Sequence, residues 1–293
     1  IVAIAITHIF IDFIPSIFLG CPDTDTELSI LPGHELLKKG EGYEAIMLTA
    51  YGSLTAVFIL ILIAYPSMLF FTKIYELTKN IIPYILIAVS GILILMERKK
   101  GLALLVFLLT GILGFSVLNL QNLKEPLLPL LTGLFGSSML IMSIKNKPQI
   151  PEQKTEFQFE KKKMFKPIFG AIISSPLCGF LPALGSGQAA ILGQTIINSK
   201  KTKNFQSSVE SAEQNNKDFL ILLGAVNILV MGFSFITLYL LSKTRTGAAY
   251  AIKELLGSLS LNGLILILIA VLISGIIAFF LTKFLAKVFS SKI

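Results

Sequence analysis

The chain has 293 residues, of which 54% are hydrophobic and only 14% charged, with a mean hydropathy of +0.80. A soluble domain carries about 25% charged residues, so this composition excludes an ordinary soluble protein and describes an all-α polytopic membrane protein of the cell membrane. The formal net charge of +8 does not argue for a nucleic-acid partner, because excess Lys and Arg in the loops of a multi-span chain is the usual cytoplasmic bias.

The chain opens "IVAIAITHIF", with no Met and no basic n-region, which is not a signal peptide. It reads as an internal start, with an N-terminal segment expected before it. Apolar runs near 1–20, 46–71, 81–96, 101–118, 127–144, 219–241 and 260–282 approach or exceed the roughly 20 residues needed to cross the hydrocarbon core. In the first of them His8 and Asp12 stand four apart and share a helical face. Ionisable groups at that depth face a cavity or each other, so the pair is expected either to carry a proton or help hold a cation, or to be a mutually satisfied structural pair. Behind this span, "CPDTDTELSILPGH" (21–34) sets Asp23, Asp25 and Glu27 at alternate positions with Thr24 and Thr26 between. Closely spaced hard oxygens suit a hard cation such as Na⁺; the plainer alternative is a solvated acidic loop.

The runs 81–96 and 101–118 are joined by the short polar "ERKK" (97–100) and form a helical hairpin. The stretch 145–163 is polar, Pro-containing and basic, the natural linker between a first half (1–144) and a second (164–293). Within the second, 164–198 is apolar on both flanks and broken by "LPALGSGQ" (181–188). Its length is too small for two crossings plus a turn, and suits a re-entrant hairpin or broken helix pair. Pro182, Gly185, Ser186, Gly187 and Gln188 at the break are the expected substrate site. Small residues let backbone approach a ligand, and freed N–H groups at a helix start attract anions. The plainer alternative is that the glycines only allow tight helix packing. After the hairpin, 199–218 is a polar loop, in which Asn215 and Asn216 abut the next span and join the expected substrate residues.

If 164–198 enters and leaves on one face while the other spans cross, 19 of the 25 Lys and Arg fall on that face. That face is then cytoplasmic, with the linker 145–163 and the loop 199–218 on it. Two stretches, "HIFIDFIPSIFLG" (8–20) and "NNKDFLILLGAVN" (215–227), follow a similar order in opposite expected directions, as inverted repeats require.

"GFLPALGSGQAAILGQ" (179–194) resembles the Gly- and Pro-rich signature of the TctA family, the large membrane subunit of tripartite tricarboxylate transporters. "CPDTDTELSILPGHELLKKGEGYEA" (21–45) resembles a second signature of that family as its shorter, divergent archaeal-type members carry it, and "VESAEQNN" (209–216) resembles its Glu- and Asn-bearing segment. The resemblance implies two inverted repeats, 1–144 and 164–293, each opening in the family with a Gly-rich re-entrant hairpin, of which the first is expected to be missing here. It also implies import of carboxylates driven by an ion gradient, with an extracytoplasmic binding protein delivering the solute.

The expected function is therefore an ion-coupled secondary transporter of a small anionic organic solute, with a carboxylate as the leading chemistry, and not an enzyme. Access would alternate at a midplane site. His8, Asp12, Asp23, Thr24, Asp25 and Thr26 would serve coupling to Na⁺ or H⁺, with no cofactor and no metal beyond that monovalent cation. The alternative is a translocase for an anionic lipid headgroup such as a polyprenyl phosphate, since basic re-entrant hairpins serve phosphate equally well. A third reading is an intramembrane enzyme using Asp12, Asp23 or Cys21, which needs two reactive groups within hydrogen-bond reach.

Overall fold

The computed structural model describes all residues except 21–24, 79–81, 98, 120–136, 138–140, 142–150, 156, 158–160, 181–184, 199–207 and 293. Among the described residues the only extended regular structure is helix, with no strand. The helices are α1 (Val2–Ile11), α2 (Phe13–Leu19), α3 (Ile30–Leu37), α4 (Gly42–Thr78), α5 (Ile82–Met96), α6 (Lys100–Leu118), α7 (Lys161–Phe180), α8 (Ser186–Asn198), α9 (Ser208–Leu241), α10 (Gly247–Leu256) and α11 (Leu261–Ser290). Among the described residues, five stretches are long and apolar enough to cross a membrane: Val2–Leu19, Gly42–Leu69, Lys100–Val117, Glu213–Leu241 and Leu261–Ser290. An all-α polytopic membrane protein follows. The expected span at 81–96 is the helix α5, whose 15 residues are short for a crossing; the one at 127–144 lies, but for residues 137 and 141, outside the described residues.

The chain divides into two compact units, 1–72 with 147–293, and 73–146. The second holds α5 and α6, which pack on each other as the hairpin reading of 81–118 requires. The first holds everything expected of a site. Its centre is α9, which packs against α7, α8, α11, α1 and α3 and also crosses α4. Two glycines permit that crossing. A Cβ on Gly52 would lie 2.2 Å from the Ile221 carbonyl oxygen, and one on Gly224 would lie 2.2 Å from that of Thr49. Backbone thus meets backbone, the packing that small residues allow between membrane helices. The Ser53 hydroxyl uses the proximity to donate to the Gly224 carbonyl at 3.0 Å.

Residue pairs along this unit fix helix directions. Glu44 meets Lys217, Ser53 meets Gly224, and Leu60 underlies Gly232, so α4 and α9 run parallel. Tyr51 stacks edge-on against Phe279 at 4.9 Å and Val57 underlies Gly275, so α11 runs antiparallel to α4. In the broken segment, a Cβ on Gly170 would meet Ile197 and the Gly193 carbonyl, and one on Gly193 would meet Ser174. The arms α7 and α8 are therefore antiparallel and form a hairpin, with the break at its tip. The 13 residues of α8 span about 20 Å, against a hydrocarbon core of about 30 Å.

The described linker residues around Gln153 dock on two helix ends. Gln153 accepts from the Gly42 amide at 2.8 Å and donates to the Leu37 carbonyl at 3.1 Å, while the Lys154 amide donates to the Gly40 carbonyl at 2.8 Å. One amide side chain thus satisfies an orphan donor at the start of α4 and adds a second hydrogen bond to the Leu37 carbonyl at the end of α3, which also accepts from the Gly40 amide at 3.0 Å. Gly40 takes a left-handed φ of +78°, and a Cβ there would strike the Glu152 carbonyl oxygen at 2.8 Å; glycine is needed on both counts.

Candidate functional site

The site begins at a helix joint. Pro15 has no amide proton for the Ile11 carbonyl, so the first span is interrupted between α1 and α2 at Asp12, whose own backbone stays helical (φ −65°, ψ −20°). Gly20 ends α2 in a left-handed conformation, φ 65°, and the described part of the acidic segment resumes at Asp25. There Ser29 donates to the Thr26 carbonyl at 2.6 Å, closing the single 3₁₀ turn Glu27–Ser29 that leads into α3.

Thr26, 1% exposed, folds back onto the joint. Its hydroxyl lies 2.6 Å from that of Ser16 and donates to the Asp12 carboxylate at 3.4 Å, while Ser16 also donates to the Asp12 carbonyl at 2.8 Å. The neighbouring Asp25 faces the hairpin tip instead. Ser186, buried at the first residue of α8, donates to the Asp25 carboxylate at 2.5 Å. At the same tip the Gly185 amide donates to the Gln188 side-chain oxygen at 2.9 Å, one half of a capping box. A Cβ on Gly187 would sit 3.3 Å from Leu28 and 3.8 Å from the Glu27 carboxylate, so the tip lies directly on the acidic turn. Burial, and next the Asp25 charge, push the Glu27 carboxyl above the usual carboxylate range.

Asn227, in the middle of α9, was not among the residues expected from sequence. It is 4% exposed, and its amide donates to the Asp25 carbonyl at 3.0 Å. A lone Asn in an apolar helix carries a signal, since polar residues in spans usually face a partner or a cavity. Its distance in sequence from Asp25 hid the partner.

The structure therefore brings together Asp12, Asp25, Thr26, Ser186, Gly187 and, beside them, Gly185 and Gln188. His8 is exposed and lines with Asp12, Ile4 and Pro15 a groove of about 470 Å³ along α1 and α2. Pro182, Asp23 and Thr24 lie outside the described residues. Asn215 and Asn216 are placed elsewhere, about 17–18 Å along α9 from Asn227 at 1.5 Å per residue. Asn216 donates to the Glu35 carboxylate, within a charged cluster at the ends of α3, α4 and α9. There Lys217 lies 2.9 Å from Glu44, 3.2 Å from Glu213 and 3.4 Å from Glu41, and Lys39 lies 2.6 Å from Glu213. The Glu213 contact, more than any other, holds the Lys39 ammonium above its usual range. Nearby, burial and then the Lys38 charge push the His34 imidazole below its ordinary value, so it is neutral at pH 7. No cluster of three or more His, Cys, Asp or Glu suited to a metal occurs among the described residues, and Cys178 is a buried packing residue.

A sequence profile of the "Tripartite tricarboxylate transporter TctA family" matches residues 1–293. The chain belongs to that family. As a TctA-family protein it is a membrane component of a transport system, which fits a multi-pass setting and a binding-protein partner. An uncharacterized protein of Methanocaldococcus jannaschii is 33% identical over 291 residues, covering 98% of this chain and 68% of that relative, consistent with a divergent member. No solved structure matches the chain.

Proposed function

We propose that the chain is an ion-coupled secondary transporter of a small organic anion, a carboxylate, bound where the hairpin tip meets the acidic turn. The observation that carries this reading is the Ser186–Asp25 hydrogen bond. Asp25 sets a carboxylate against the first residue of α8, the position where a helix favours negative charge through its unsatisfied N–H groups. The protein's own carboxylate stands where a solute carboxylate would bind, and the solute would compete with Asp25 for the tip.

Asp12, Thr26 and Asp25, together with Asp23 and Thr24 of the same acidic segment of sequence, serve the coupling ion, Na⁺ or H⁺, and His8 lines the groove with Asp12. The repeats 1–144 and 164–293 would rock about this junction, with 164–198 re-entering from the cytoplasmic face and an extracytoplasmic binding protein delivering the solute. The antiparallel arms α7 and α8 support that re-entry. The pairing of Lys39 with Glu213 supports a common face for the α3–α4 turn and the end of the loop 199–218, the face that the charge bias names cytoplasmic.

The test is uptake of labelled di- and tricarboxylates into vesicles reconstituted with the protein. Gly187→Leu, which fills the space between tip and turn, should abolish uptake while the protein still inserts. Undiminished uptake by this variant would refute the assignment of the tip. A translocase of anionic lipid would instead move a headgroup-labelled polyprenyl phosphate in the same vesicles and leave the carboxylates outside.

A further inference from the structure

Asn227 holds an unanswered group. Its amide nitrogen is committed to the Asp25 carbonyl, yet its side-chain oxygen, buried in the middle of α9, has no hydrogen-bond partner among the described residues. A buried amide oxygen without a donor carries the desolvation cost of that group. Inside a span there is little bulk water to relieve it. Such an atom is explained when a ligand that accepts lone pairs completes it.

We propose that the Asn227 oxygen is a ligand of a monovalent hard cation, Na⁺, held together with the Asp12 carboxylate and the Thr26 hydroxyl. The three groups come from separate parts of the chain and are linked through the consecutive residues Asp25 and Thr26. Asn227 grips the Asp25 carbonyl at 3.0 Å, Thr26 is the next residue, and the Thr26 hydroxyl lies 3.4 Å from Asp12. Pro15 leaves the Ile11 carbonyl at the same joint without its helical donor, a fourth oxygen of the neutral kind. One carboxylate with neutral hydroxyl, amide and carbonyl oxygens is the ligand chemistry of a hard cation. The absence of a His, Cys and carboxylate cluster among the described residues disfavours a transition metal. The single Asp12 charge matches a single positive charge.

This assignment deepens the ion-coupled reading and rests on it, and it gives the coupling a physical route. Asp25 joins the two ligands: its backbone carbonyl accepts from Asn227 on the cation side, and its carboxylate accepts from Ser186 on the tip side. A cation that fixes Asn227 and Thr26 fixes the residue with which a solute carboxylate competes.

Direct binding of Na⁺ to the purified full chain in nanodiscs tests the site without requiring transport. Calorimetry with NaCl, at ionic strength held constant with choline chloride, gives the affinity. Asn227→Leu, close in volume but without the oxygen, should weaken Na⁺ binding 10-fold or more. Thr26→Val should do the same and Thr26→Ser should restore it, which keeps the site testable if Asn227→Leu fails to accumulate. No Na⁺ binding by the wild type, or wild-type affinity in Asn227→Leu or Thr26→Val, would overturn the assignment. Na⁺ binding that responds to these variants while no carboxylate is ever taken up would leave the cation site standing and defeat the transporter reading instead.

Discussion

Gly224→Ala is the substitution whose consequence can be worked most directly from the fold. The added Cβ would lie 2.2 Å from the Thr49 carbonyl oxygen, 2.9 Å from its carbon and 3.0 Å from the Ser53 hydroxyl. The nearest two are backbone atoms of α4 and cannot rotate away, so the helices must part by about 1.2 Å to restore ordinary contact. Overpacking of this kind costs about 1–3 kcal/mol. Parting α4 from α9 also breaks the 3.0 Å Ser53–Gly224 bond, worth about 0.5–1.5 kcal/mol. Against this, Ala gains roughly 0.5–1 kcal/mol over Gly in a helix. The net is a loss of about 2 kcal/mol, which in a domain of this size lowers the apparent Tm by about 4–8 °C. Asn227 follows three residues later, so uptake should fall with stability. Thermal unfolding in detergent, followed by loss of monodispersity, reads the first effect. Gly111→Ala, with nothing within 4 Å of its Cβ, is the control and should melt no lower than wild type. If Gly224→Ala melts at or above the wild-type temperature, the close α4–α9 crossing is wrong.

Other perturbations reach other parts of the account. Gln153→Ala removes the bonds that tie the linker to Gly42 and Leu37; limited proteolysis should then cut near 151–157 faster, at a cost of about 1–2 kcal/mol in stability. Lys217→Met leaves Glu41, Glu44 and Glu213 facing one another and should lower stability by about 1–3 kcal/mol, since the cluster is partly exposed; an unchanged Tm would show that water already screens it. Glu27 titrates higher in the folded protein than in the unfolded chain, because of burial and Asp25. Its contribution to stability is therefore fully present below the unfolded pKa and is lost as pH rises through the folded one. Glu27→Gln should flatten the fall of Tm across that window, and an unaltered pH profile would remove Glu27 from the buried turn. Cysteines at Lys161 and Lys201 should be labelled from the cytoplasmic face only; labelling from opposite faces would end the re-entrant model.

Much of this was legible in the sequence because the membrane imposes a strong code. Uninterrupted apolar length announces spans, and the five that the structure supports were each expected. Gly185, Ser186 and Gly187 stood out because a helix break inside lipid needs a reason. Asp25 and Thr26 stood out because acidic and hydroxyl residues alternate there. Their mutual contact was not legible, since Ser186 and Asp25 meet only through the packing of the hairpin tip on the acidic turn. Asn227 was missed for the same reason. Asn215 and Asn216 stand out as amides beside a span, yet Asn216 pairs with Glu35 in a charged cluster whose other members come from the α3–α4 turn, the start of α4 and α9 itself. The docking of Gln153 was hidden by composition, because a polar, Pro-containing stretch looks the same whether it is solvated or pinned to two helix ends.

The measurement that bears most directly on the central claim is the affinity for a carboxylate as a function of cation. Citrate and succinate would be titrated calorimetrically into the nanodisc-reconstituted chain at several Na⁺ concentrations and at two pH values. If the Asp12–Thr26–Asn227 cluster and the hairpin tip are joined through Asp25, carboxylate affinity should rise as Na⁺ is raised. Carboxylate must then tighten Na⁺ by the same factor. A coupling of about 1–3 kcal/mol corresponds to roughly a 5- to 150-fold change. Asp25→Asn should abolish most of that dependence while the protein stays folded. Carboxylate binding that ignores both Na⁺ and pH in the wild-type protein would contradict the account, and Asp25 would then be no more than a structural brace for the tip.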